Sequence, residues 1–196
     1  MTALAEAIPR PSRRGANLAV DTALVLGGSL FIALMAQVVI KLPFTPVPIS
    51  GQTFAVLLLG TAYGWRLGGL TVALYLAQIA VGLPFAAEAK SGLEVLTLAT
   101  ASGGYLWGML VAGALVGWLA NRGWDRNVVS ALGVMVLGNL VIYGFGVPWL
   151  MASIDVPLSE ALSLGVYPFL VGDALKVLLA AGLLPAAWKL VKRRDD

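Results

Sequence analysis

Long uncharged stretches run through the chain, separated by short clusters of proline, glycine and charge. The first covers residues 22–40, between Asp21 and Lys41, and is dense in Leu, Val, Ile and Ala. At close to the 20 or so apolar residues that a bilayer requires, it predicts a membrane-spanning helix. Its basic flank, Arg10, Arg13 and Arg14, imitates a signal peptide, but the run is longer than a typical signal core and has no small-residue cleavage pattern. Residues 42–53 follow, where Pro43, Pro46 and Pro48 exclude a helix and predict an ordered loop. A second, shorter span is predicted over 53–65. Arg66 with Gly64, Gly68 and Gly69 then makes a tight turn into a third span over 70–83, which Pro84 ends. Residues 85–102 carry Glu88, Lys90 and Glu94 and read as a long loop with room for a short helix. A fourth span is predicted over 103–120, a polar turn over 121–127 and a fifth span over 128–150. Asp155, Pro157 and Glu160 mark a further loop, and Pro168 opens a sixth span that continues to Leu190.

This pattern predicts an all-α integral membrane protein: a cytoplasmic tail over 1–18, a six-helix membrane domain over 19–190 and a charged cytoplasmic tail over 191–196. Composition agrees, since 59% of the 196 residues are hydrophobic and 12% are charged. Six crossings place both termini on one side, and ten of the 13 Lys and Arg residues then fall on that side. Lys41 and Lys90 fall opposite, and Lys176 lies within a span. Positive residues collect on the cytoplasmic side, so the expected topology is N-in and C-in. The net charge of +3 is too small to imply nucleic acid. With no His and no Cys, imidazole and thiolate metal sites, Cys nucleophiles and the commonest general base are all missing. Ser102 has no base at a recognisable spacing, so no enzyme activity and no cofactor is expected. No Gly-x-x-x-x-Gly-Lys-Ser/Thr motif occurs, so any energy from ATP must come from another chain.

Asp173 and Lys176 interrupt the sixth span, each at about 2.5–3.5 kcal/mol if placed at a helix centre. Three residues apart, they share a helix face and can pair. Such a pair either locks the bundle or binds a ligand, and ionisable groups at this depth more often serve function. At 1.5 Å per residue from Pro168, Asp173 lies about 8 Å and Lys176 about 12 Å below the outer helix start. An acceptor and a triple donor there suit a small neutral or zwitterionic molecule that carries both N–H and C=O groups. Asn139 and Tyr143 share a face of the fifth span, as pocket residues or as interhelical hydrogen bonds. Ala19, Ala23 and Gly27, with Ser29 and Ala33 on a second line, recur every fourth position. The stripe permits close helix contact, with packing inside the fold as its first reading and docking of a partner protein as its second. The six Trp residues lie mostly near span ends, where interfacial anchoring explains them.

Several strings together resemble one family: Pro43-Phe44-Thr45-Pro46-Val47-Pro48-Ile49-Ser50-Gly51-Gln52-Thr53, Gly82-Leu83-Pro84, Gly103-Gly104-Tyr105-Leu106, Tyr143-Gly144-Phe145-Gly146, and Pro168-Phe169-Leu170 with Gly172-Asp173 and Lys176. The chain resembles the BioY biotin transporters, the substrate-binding S components of energy-coupling factor (ECF) vitamin transporters. The resemblance implies the S-component fold in a bacterial cytoplasmic membrane. It also implies capture of biotin from outside and cooperation with a coupling transmembrane protein and two cytoplasmic ATPases. It assigns Asp173 and Lys176 to the ureido ring, with Gln52, Tyr105, Asn139 and Tyr143 as further binding candidates. Lys90, the one cation in the long outer loop, would meet the ligand's carboxylate, unless it pairs with Glu88 or Glu94. Ala19, Ala23 and Gly27 would face the coupling protein. The chain departs from the family pattern at residues 85–90, at Ala101-Ser102 and at Val171. An S component for another small vitamin, or a structural or assembly protein, are the alternative readings.

Overall fold

The structure is a computed structural model that describes residues 3–7 and 14–195. Arg10 and Arg13 of the basic flank lie outside the described residues. The fold is helical, with α1 over Arg14–Ala36, α2 over Gln52–Ala80, α3 over Gly103–Asn121, α4 over Val128–Ile154, α5 over Leu158–Gly165 and α6 over Leu170–Asp195. Among the described residues, four stretches are long and apolar enough to cross a membrane: Gly15–Ala36, Gly103–Asn121, Val128–Ile154 and Leu158–Val191. α3 is central, with 67% of its apolar stretch buried, and α1 is peripheral at 22%.

The predicted second and third spans are the two legs of α2. The turn between them is narrower than the cluster of glycines implied and sits at Gly64 alone, whose φ of 77° and ψ of 172° break the helix. A side chain is disfavoured in that conformation, and a Cβ there would also stand 2.8 Å from Asn121 Oδ1. Asn121 closes the turn by accepting the Trp65 N–H at 3.1 Å. The legs fold back on each other, because a Cβ on Gly68 would lie 2.8 Å from the Cα of Gly60. Gly117 of α3 fits against the same turn. Residues 3–7 contribute a 3₁₀ turn that packs on α2 at this end of the bundle.

At the opposite end the proline loop is framed by a two-residue hairpin, β1 (Val39–Ile40) against β2 (Ile49–Ser50), with Val39 opposite Ser50 and Ile40 opposite Ile49. Two 3₁₀ turns, Ala87–Ala89 and Leu93–Leu96, give the long loop its shape. A helix replaces the loop expected around Asp155, Pro157 and Glu160. Asp155 ends α4 in the left-handed region at φ 54° and Pro157 precedes the first turn of α5. The polar residues there mark boundaries of a short helix. Pro168 lies in a 3₁₀ turn, Tyr167–Phe169, ahead of α6.

The small-residue stripe divides. Ser29 and Ala33 are buried, whereas Ala19, Ala23 and Gly27 are exposed, and a Cβ on Gly27 would meet nothing within 4 Å. Packing inside the fold therefore explains the second line and not the first. Three tryptophans hold the fold through their indole N–H groups: Trp107 Nε1 donates to Leu96 O at 3.0 Å, Trp149 Nε1 to Thr100 O at 3.1 Å, and Trp188 Nε1 to the buried Asp125 Oδ2 at 2.5 Å.

Candidate functional site

Between the proline loop, the long loop and the ends of α2, α3, α4 and α6 lies a pocket with about 680 Å³ of empty space, its open mouth included. Gln52, Lys90, Tyr105, Asn139, Tyr143, Asp173 and Lys176 all line it. Its apolar wall comes from Val95, Leu106, Met109, Ile142 and Phe169. One end is thus polar and charged, and much of the rest is hydrocarbon.

The charged end is built from three helices. Lys176 Nζ donates to Asp173 Oδ1 at 3.1 Å and to Thr53 Oγ1 at 3.0 Å, and the Tyr143 hydroxyl donates to Asp173 Oδ2. Asp173 is 8% exposed, so these donors stand in for the water that its carboxylate oxygens would otherwise contact. The i,i+3 spacing on α6 explains the ion pair. Thr53 adds a hydroxyl from the first turn of α2, a role with no signal in the sequence, because its partner is 123 positions away.

These bonds leave capacity unused. A carboxylate offers about four lone-pair sites and an ammonium three donors. Two acceptor sites on Asp173 and one N–H on Lys176 remain, and the buried Asn139 amide makes no side-chain hydrogen bond among the described residues. The arrangement can take two N–H donors and one carbonyl acceptor from a bound molecule.

Gln52 and Tyr105 are already engaged. The Gln52 amide donates to the Tyr75 hydroxyl and accepts from Ser50 Oγ at 2.9 Å, and Tyr75 Oη donates to Phe85 O at 3.0 Å. Gln52 therefore ties the proline loop, the second leg of α2 and the long loop together. Tyr75, wholly buried at the centre of that link, was missed in the sequence because it looks like any aromatic of an apolar run. Tyr105 Oη donates to Gly165 O at 2.9 Å, and its ring fills the space beside Gly146 and Gly165 where no Cβ would fit. It is a wall of the pocket, with its donor committed.

The long loop is pinned at its far end by Trp107 Nε1 to Leu96 O at 3.0 Å and by the Trp149 bond to Thr100. Nearer the mouth, Lys90 Nζ lies 2.7 Å from Glu88 Oε2, so the pairing with Glu88 is present while Lys90 also lines the pocket. Lys41 Nζ is 2.7 Å from Glu88 Oε1. Hydrogen bonds from Lys41 and Lys90 hold the Glu88 carboxyl below the usual range.

Comparison with known proteins bears on this pocket. A biotin transporter BioY of Rhizobium etli is 32% identical over 161 residues, 80% of this chain and 86% of that protein. A biotin transporter BioY of Thermotoga maritima is 34% identical over 158 residues, 81% of this chain and 90% of that protein. The crystal structure of an S-component for biotin from an ECF-type ABC transporter superposes with a TM-score of 0.81 at 23% identity, over 91% of this chain and 95% of that one, which shows the fold. A sequence model of the BioY family matches residues 9–193, nearly the whole length, and the chain belongs to that family.

Proposed function

We propose that this protein captures biotin with high affinity from outside the bacterial cytoplasmic membrane, as the substrate-specific subunit of an ECF-type transporter. The unused hydrogen-bonding capacity of Asp173, Lys176 and Asn139 carries the reading. Biotin's ureido ring has two N–H groups and one C=O, which the two open acceptor sites of Asp173 and the open N–H of Lys176 can meet, with the Asn139 amide lining the same pocket. The apolar wall of Leu106, Met109, Ile142 and Phe169 suits the sulfur ring and the aliphatic chain, and Lys90 at the mouth suits the carboxylate. Gln52 and Tyr143 hold the site in register, and Tyr105 walls it. Uptake of labelled biotin by a biotin-auxotrophic host that also carries the coupling module tests the reading: uptake above the module-only control is expected, and none, with the protein in the membrane, would contradict it.

The chain crosses the membrane six times, with both legs of α2 as crossings and both ends inside. The fold-back at Gly64 and the sorting of basic residues support this topology. The protein is naturally free of cysteine, so single cysteines report sidedness directly. A cysteine at Ser159 on intact cells should react with an impermeant maleimide, and one at Arg122 should not; labelling at Arg122 would refute the orientation.

A coupling transmembrane protein and two ATPases supply the energy, since this chain has no nucleotide-binding motif. The coupling protein docks on Ala19, Ala23 and Gly27, whose exposure on α1 supports that use. Ala19→Leu with Ala23→Leu is expected to lower uptake in the presence of the coupling module by at least about tenfold while binding persists, a loss near 1.4 kcal/mol at the interface. Unchanged module-dependent uptake would exclude the stripe.

A further inference from the structure

Two lysines share one carboxylate at the mouth of the pocket. Glu88 offers one oxygen to Lys41 and the other to Lys90, each at 2.7 Å. Its side chain is 19% exposed, against 72% for Lys41 and 47% for Lys90. The backbone presents it in an unusual way, since Glu88 and Ala89 both have positive φ, 64° and 55°. Gln37 at the end of α1 fixes that shape: its amide donates to Ala86 O at 3.1 Å, and its oxygen accepts the Ala89 N–H at 3.2 Å.

Two cations against one anion leave one positive charge over, beside a pocket whose polar floor is already paired. Exposed ion pairs of this kind are weak and readily exchanged. Lys90, the member that lines the pocket, can leave Glu88 without stranding it, because Lys41 keeps the other oxygen. We propose that Glu88 is an internal competitor for the anionic tail of the ligand, and that Lys41 sets how strongly it competes. In the empty protein Glu88 holds Lys90. A bound carboxylate takes Lys90 over, and Lys41 neutralises the Glu88 that is left. Lys41 and Glu88 are thus specificity residues that need not touch the ligand. The inference rests on the biotin reading, and its test separates the two.

Equilibrium binding of labelled biotin and of biotinamide, which lacks the carboxylate, gives an affinity ratio for each variant. Glu88→Gln is expected to raise the biotin-to-biotinamide ratio by about fivefold, the scale of one exposed ion pair, and Lys41→Met to lower it by about as much. A long-range field would move the ratio in the same directions, so the deciding arm repeats both changes in a Lys90→Met background. Exchange through Lys90 predicts that the ratio there no longer responds to either change. A response of equal size in that background, or no response in the wild-type background, overturns the inference and leaves the biotin reading standing. Binding of neither ligand to the folded wild-type protein overturns both.

Discussion

The double variant Asp173→Asn with Lys176→Gln is expected to fold and yet to bind biotin at least about a hundredfold more weakly than wild type, roughly 2.7 kcal/mol. The two charges lie 3.1 Å apart on one face of α6, largely out of water. Removing either alone strands the other at a cost of about 3–5 kcal/mol, so Asp173→Asn and Lys176→Met should each lose binding, and each is open to the objection that the site has collapsed. The double change keeps hydrogen-bonding groups for Tyr143 and Thr53 and deletes both charges. A purely structural ion pair would then be replaced at little cost to affinity. Thermal melting in detergent reports the fold, and biotin binding reports the site. A folded double variant with near-normal affinity would leave Asn139, Tyr143 and Gln52 as the readers of the ureido ring.

Gly117→Ala is expected to destabilise the protein by at least about 3 kcal/mol, at the upper end of overpacking effects. A methyl group there would sit 2.5 Å from the carbonyl carbon of Gly64, 2.6 Å from Trp65 N and 2.7 Å from Gly60 O. All three are main-chain atoms of α2 at or beside its break at Gly64, so no side chain can swing aside. Gly133→Ala on the exposed face of α4 is the control, because nothing lies within 4 Å of its added carbon. It should melt at or slightly above the wild-type temperature, since alanine favours a helix interior by about 0.5–1 kcal/mol. Equal melting of the two variants would mean that α3 does not depend on this contact.

Where the fold was legible in the sequence, the signal was local. Apolar runs marked the long helices, three prolines marked the loop ahead of α2, and the three-residue spacing of Asp173 and Lys176 brought them together on α6. What escaped notice depends on partners far apart in the chain. Thr53 reaches Lys176, Gln52 reaches Tyr75, and Lys41 reaches Glu88 only because loops and helices from separate regions converge at one end. The fate of the small-residue stripe was equally hidden, since a run of Ala and Gly looks the same whether it is covered or bare. α5 was obscured by Asp155, Pro157 and Glu160, polar residues that suit a helix boundary as well as they suit a loop.

The central claim is that the pocket between the proline loop and the long loop holds biotin, its ureido ring on Asp173, Lys176 and Asn139. Equilibrium dialysis of the detergent-purified chain alone, with labelled biotin and an excess of unlabelled competitor, tests it most directly. Saturable binding of one biotin per chain is expected, weakened at least about a hundredfold in the double variant Asp173→Asn with Lys176→Gln. Binding no greater than that of empty detergent micelles, in a protein that melts cooperatively, would contradict the account.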